Sequence, residues 1–143
     1  MADSKAGAIA LTVATPLGMA LNLSTDSVQL PGVAGEFGVL PDHIPLLAAL
    51  KPGVVRYRDG GATRIAAIGA GFSEVGADHV RVITEFFLKP EEIKVDQARS
   101  DLQEAEGRLK NVVLGEPDQV EAQNAYDWAL ARIEVAASGG TTH

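Results

Sequence analysis

At Pro90 the hydrophobic period of the chain changes from two residues to about 3.6, so one polypeptide must build strands first and helices afterwards. Before Pro90, apolar side chains alternate in short runs. Ile9, Leu11 and Val13 alternate with Ala10, Thr12 and Ala14; Met19, Leu21 and Leu23 flank Asn22; Val28 and Leu30 flank Gln29; Val55 and Tyr57 alternate with Arg56 and Arg58. Each run reads as a half-buried strand with one wet face. The "DGGA" of Asp59 to Ala62 is hairpin chemistry. In "FSEVGADHVRVITEF" two more strands meet at Gly76 to Asp78. Many short strands with frequent turns predict an all-β sandwich or barrel over residues 1–88.

From Glu91 to Val112, the residues Val95, Ala98, Leu102, Ala105, Leu109 and Val112 recur at spacings of 3, 4, 3, 4 and 3, which is one face of a long amphipathic helix. Glu91 and Glu92 at its start and Arg108 and Lys110 at its end suit the helix dipole. "LGEPD", Leu114 to Asp118, then breaks it, with Gly115 suited to a C-terminal cap, Pro117 to a stop and Asp118 to a new N-cap. A second helix is expected from about Asp118 to Ala137, its inner face Ala122, Tyr126, Ala129, Ile133 and Ala137, and "SGGTTH" reads as a frayed tail. Two helices have little core of their own, so residues 89–143 must dock on the β domain or on a partner, or be free to open.

Composition narrows the function classes. Nothing among the 143 residues approaches the roughly 20 apolar residues that span a bilayer. No cysteine is present, which excludes disulfides, thiolate metal sites and cysteine nucleophiles. The net charge of −7 disfavours nucleic acid and anionic lipid as partners and points to proteins. Residues 89–143 are the acidic part, with 6 Lys plus Arg against 11 acids, where residues 1–88 have 6 against 8. "KAGAIALTVA" has the outline of a weak signal segment, but Asp3 spoils its basic start and its alternation is that of a strand.

Catalytic patterns are sparse. G-x-S-x-G, H-E-x-x-H and G-x-x-x-x-G-K-[ST] are all missing. "GAGFSEVG" begins like a dinucleotide fingerprint, yet Glu74 stands where the third glycine belongs and a strand follows, so Gly69 and Gly71 read as a bulge or a close strand approach. His43, His79 and His143 lack metal-ligand spacing. Asp42 beside His43 has acid/base chemistry, but neighbours in an extended segment point apart. An enzyme is the weaker class.

Between Leu30 and Gly53 lie four prolines, four glycines and one histidine in 24 residues. The wider stretch "VQLPGVAGEFGVLPDHIPLLAALKPGVV" resembles the N-terminal signature of the epsilon subunit family of F-type ATP synthases, V-x-L-P-G-x-x-G-E-F-G-V-L-P-G-H-x-P-L-L-T-x-L-K-P-G. The resemblance extends to "LTVATP" before it and "GAGFSEV...HVRVITE" after it, about 80 residues in all. It implies a sandwich of about ten strands followed by an antiparallel two-helix hairpin. It also implies a noncatalytic subunit of the rotating central stalk that binds the gamma subunit and the c-ring and couples proton flow to ATP synthesis. In many bacteria the family's hairpin opens into the catalytic head and blocks ATP hydrolysis.

The resemblance assigns roles to particular positions. The "GEFG" loop, Gly35, Glu36, Phe37 and Gly38, aligns with the loop that meets the c-ring, and an acid framed by glycines suits docking on basic loops. On local sequence Glu36 reads equally well as a solvated turn residue. His43 aligns with the family histidine near gamma, or else is a partly buried histidine fixing the Pro41 to Pro45 turn. Asp42 departs from the family's glycine. "VDQARS" partly matches the I/L-D-x-x-R-A motif by which some members bind ATP. Asp96 and Arg99 share a helix face, so they offer an acceptor to adenine and a cation to phosphate, or satisfy one another. An ATP-sensing module is therefore the alternative function, and a free-standing β-sandwich binding domain or enzyme a third.

The resemblance also extends to contacts with the catalytic alpha and beta subunits through the hairpin. Docking beside an acidic beta segment needs basic residues, and Asp118 to Ala136 offers only Arg132 against four acids, so weak inhibition is expected. Trp128 and Tyr126 are candidate anchors there, or core of the hairpin. Expected location is the cytoplasmic side of a bacterial inner membrane, held only through the complex, in preference to an organellar membrane.

Overall fold

The computed structural model describes residues 8–139 and the backbone of 141 and 142. The start of the weighed signal segment and His143 lie outside the described residues. Among the described residues ten strands precede the helices: β1 (Ile9–Thr15), β2 (Gly18–Thr25), β3 (Val28–Gly32), β4 (Gly35–Val39), β5 (Leu46–Leu50), β6 (Gly53–Asp59), β7 (Ala62–Ile68), β8 (Gly71–Val75), β9 (His79–Thr84) and β10 (Phe87–Leu88). A 3₁₀ turn (Pro90–Glu92) leads to α1 (Val95–Asn111) and α2 (Pro117–Ser138), after which comes β11 (Thr141–Thr142).

Hydrogen bonds connect the strands in the order β10-β7-β6-β3-β5-β8-β9-β1-β2, with β4 on β3 and β11 on β7. β1 and β9 pair in parallel, whereas hairpin neighbours such as β1–β2, β6–β7 and β8–β9 are antiparallel. The alternation seen in the sequence sets the inside: Ile9, Leu11 and Val13 of β1 meet Val28, Leu30, Val55, Tyr57, Val80 and Val82 in one core, all 3% exposed or less. Two glycines permit this closure. Gly60 turns β6 into β7 at φ +65, a left-handed value glycine adopts freely. Gly71 faces Thr84, and a Cβ there would fall on the Ile83 carbonyl oxygen, which is the close strand approach expected of it.

A second apolar cluster lies outside the sandwich. Val54, Ile65 and Ala67 on the outer face of β6 and β7 pack against Ala131 and Val135 of α2, with Ile93 and Trp128 at the edge. The hairpin is therefore folded down on the β domain. The two helices meet through Ala98, Ala105, Ala122 and Ala129, buried small residues that let the backbones approach. The wet face expected for β6 is covered: Arg56 reaches α2 and donates to Glu134 at 2.8 Å.

Boundaries differ from the sequence reading in four places. Glu91 and Glu92 belong to the 3₁₀ turn, because Ile93 is extended (φ −93, ψ 130) and turns inward to the second cluster, so α1 starts only at Val95. Pro117 is the first residue of α2 rather than the stop, and Glu116, not Asp118, precedes it as the cap residue; proline's fixed φ suits that position. Gly115 is no cap of α1 but the left-handed residue of the connection (φ +86), its N–H donated to Gln119 Oε1 at 2.8 Å. "SGGTTH" is not simply frayed, since Thr141–Thr142 pairs with β7.

Candidate docking surfaces

The strand registers place an unbroken apolar row on the outside of the sandwich, away from the hairpin. Ala49 of β5 pairs with Phe72 of β8, Phe72 with Ile83 of β9, Ile83 with Ala14 of β1, and Ala14 with Met19 of β2. Phe72, Ile83 and Met19 are 46%, 43% and 62% exposed, and Leu17 at the β1–β2 turn is fully exposed. A neighbouring row runs Leu47, Glu74, Arg81, with Arg81 donating to Glu74 at 2.7 Å. Ile44 and Leu47 extend the exposed apolar surface along the β4–β5 connection and β5. Sequence reasoning gave one face of these strands to water and missed the row. Its signal was apolar side chains on both faces: Val82 next to Ile83, and Phe72 out of phase with Val75.

His43 stands at one corner of this surface. Its Nδ1–H donates to the Ile44 carbonyl at 2.6 Å, which fixes the tautomer and the tight connection. Before it, Asp42 takes φ +68, the lone left-handed non-glycine among the described residues, and its N–H donates to the Ala77 carbonyl at 2.8 Å. The aspartate thus adopts a backbone conformation that glycine takes more easily.

The "GEFG" segment is not a loop. Gly35–Val39 is β4, paired along its length with β3, and the turn is Val33–Ala34, whose residues carry no turn chemistry. Gly35 needs its φ of +135 to enter the strand. Glu36 is exposed beside a groove lined by Lys51, Arg56 and the α2 residues Asp127, Leu130 and Glu134. The Gly35 end and His43 lie at opposite ends of β5, about 15 Å apart by strand rise. Asp96 and Arg99 lie elsewhere again, exposed on the first turn of α1 with 4.0 Å between Arg99 Nη1 and Asp96 Oδ1. The structure therefore keeps the three sets of sequence-selected residues apart.

Side chains at the hairpin seat form a chain of contacts. Trp128 stacks on Phe86 at 5.0 Å, and Arg132 lies 5.1 Å over the Trp128 ring. Arg132 also donates to Asp101 at 2.9 Å, joining α2 to α1. The Gln97 amide, then Arg132, hold the Asp101 carboxyl below its ordinary value. Burial pushes the Tyr57 hydroxyl up. Trp128 thus seats the hairpin on the sandwich rather than filling the hairpin's interior.

A sandwich of ten strands with a helical hairpin seated on one outer face and an apolar row open on another defines the class. Two family descriptions match: "ATP synthase, Delta/Epsilon chain, beta-sandwich domain" over residues 8–100 and "ATP synthase, Delta/Epsilon chain, long alpha-helix domain" over 91–137. The chain belongs to this family and is an epsilon subunit of an F-type ATP synthase. It is 40% identical over 125 residues to the ATP synthase epsilon chain of Nitratidesulfovibrio vulgaris, covering 87% of this chain and 92% of that one. It is 41% identical over 132 residues to that of Synechococcus sp. strain WH7803, covering 90% and 96%. The fold also resembles a chain in the Euglena gracilis mitochondrial ATP synthase structure "OSCP/F1/c-ring in rotational state 1", with TM-score 0.74, 23% identity, and 92% and 82% coverage. Among the described residues no helix is long and apolar enough to cross a membrane.

Proposed function

We propose that the chain is a noncatalytic rotor subunit in which the sandwich, residues 1–88, ties the gamma subunit to the c-ring, while the hairpin, residues 89–143, regulates ATP hydrolysis. The observation that carries this reading is the exposed row Ala49, Phe72, Ile83, Ala14 and Met19 on the sandwich face that the hairpin leaves open. A contiguous apolar row on a soluble sheet face is the kind of surface a permanent partner covers. We assign it to gamma, with His43 at its corner, and assign the exposed β3–β4 hairpin with Glu36 to the c-ring. The hairpin's seat is small and separate from the sandwich core, which suits an element that leaves it to meet the alpha and beta subunits. Association with the cytoplasmic side of the inner membrane then comes from the complex alone.

Replacing both Phe72 and Ile83 by aspartate tests the assignment. The double variant is expected to keep its far-ultraviolet circular dichroism and lose copurification with gamma. Retained copurification would refute it.

A further inference from the structure

The strand after α2 gives the hairpin a second attachment. β6 occupies one edge of β7 over its whole length, from Ala62 opposite Asp59 to Ile68 opposite Gly53. Everything else that pairs with β7 must lie on its other edge. There β10 covers only the C-terminal half, Phe87 opposite Ile68 and Leu88 opposite Ala67. β11 covers the N-terminal half in the same antiparallel sense, Thr141 opposite Arg64 and Thr142 opposite Thr63. The segments that enter and leave the helical hairpin are thus stitched side by side to one edge of one strand.

The geometry points to Thr141–Thr142 as a β-strand latch that holds the hairpin on the sandwich by completing the edge of β7. Three observations support it. An uncovered edge would present unpaired backbone groups, and the two-residue β10 is too short to cover it alone. α2 ends on Gly139 in the left-handed conformation (φ +72), which redirects the chain from the helix axis toward that edge. Finally, the last turn of α2 lies beyond the apolar cluster: Val135 is its final buried residue, while Ala137, Ser138 and Gly139 are exposed. Side-chain burial fastens α2 up to Val135, and backbone pairing fastens the chain beyond the helix.

Release of the hairpin then has an order. β10 and the 3₁₀ turn stay with the sandwich as the hinge, and β11 must leave β7 before α2 can rise. The latch goes beyond the regulatory role proposed above and does not depend on it, since its test uses the isolated full chain and reads no ATP hydrolysis. Two variants are compared with wild type, Thr142→Pro and removal of residues 140–143, by amide hydrogen exchange over 62–65 and by acrylamide quenching of Trp128, the one tryptophan of the chain. Both variants are expected to raise exchange over 62–65 about tenfold or more and to increase Trp128 quenching, with circular dichroism of the strands unchanged. Unchanged exchange over 62–65 in both variants overturns the pairing. Faster exchange with unaltered Trp128 quenching overturns the latch, because the strand would then cap an edge without holding the hairpin.

Discussion

Val135→Asp should unseat the hairpin without unfolding the sandwich. Val135 is fully buried among Val54, Ile65, Ala67 and Ala131, outside the core that β1, β3, β6 and β9 enclose. Burial of Val135, Ala131 and the packed part of Trp128 contributes about 4 to 6 kcal/mol to seating. The substitution removes about 1.5 to 2 kcal/mol of that and sets a carboxylate among apolar side chains, a penalty of several kcal/mol unless it escapes to water. The sum matches or exceeds this side-chain contribution, so α2 is expected to leave its seat against the remaining hold of the β11 pairing and the Arg56–Glu134 contact. Val135→Ala removes only two methyl groups, about 1.5 kcal/mol, and should leave the seat occupied. Trp128, stacked on Phe86 across the seat, reports the difference by its emission. Val135→Asp should shift emission to the red while the β signal in circular dichroism persists; Val120→Asp, at a residue 63% exposed on the same helix, should shift nothing. Wild-type emission in Val135→Asp, or loss of strands and hairpin in one transition, would refute the idea of two separable clusters.

Three further outcomes are expected from the geometry. At Asp42, with φ +68, Asp42→Gly should lie within about 0.5 kcal/mol of wild type in urea denaturation, whereas Asp42→Val should cost about 1 to 2 kcal/mol. Asp101 is held below its ordinary value of 3.8 by Gln97 and then Arg132, so its contribution is present above that value and lost as pH falls through the lowered one. Trp128 emission should therefore begin to change below about pH 4 in wild type, and less so in Asp101→Asn. Ending the chain after Leu88 should activate ATP hydrolysis by the assembled complex only weakly, because Arg132, the sole base among four acids in Asp118 to Ala136, is already engaged by Asp101; strong activation would contradict this.

The sequence disclosed the two-part architecture because period two and period 3.6 are properties of single elements. It was least informative where two elements share a surface. Arg56 looked solvated because its partner Glu134 lies 78 positions away. The run Ile65 to Ile68, apolar at four successive positions, was the sign that β7 is covered on both faces. "GEFG" read as a loop because glycine marks turns in isolation, yet backbone pairing with β3 outweighs that preference. Pro117 fits both a helix stop and a helix start, and only the position of its neighbours decides. The apolar row is built from five strands joined by register, which no single run of sequence reveals.

The role proposed for this chain is to join gamma to the c-ring. Its most direct test is recovery of partners from detergent-solubilised membranes on tagged, full-length chain carried in its own ATP synthase. Gamma and c-ring subunits should copurify with the wild-type chain, and Glu36→Lys should weaken the c-ring contact while gamma is retained. Recovery of the wild-type chain without gamma and the c-ring would contradict that role.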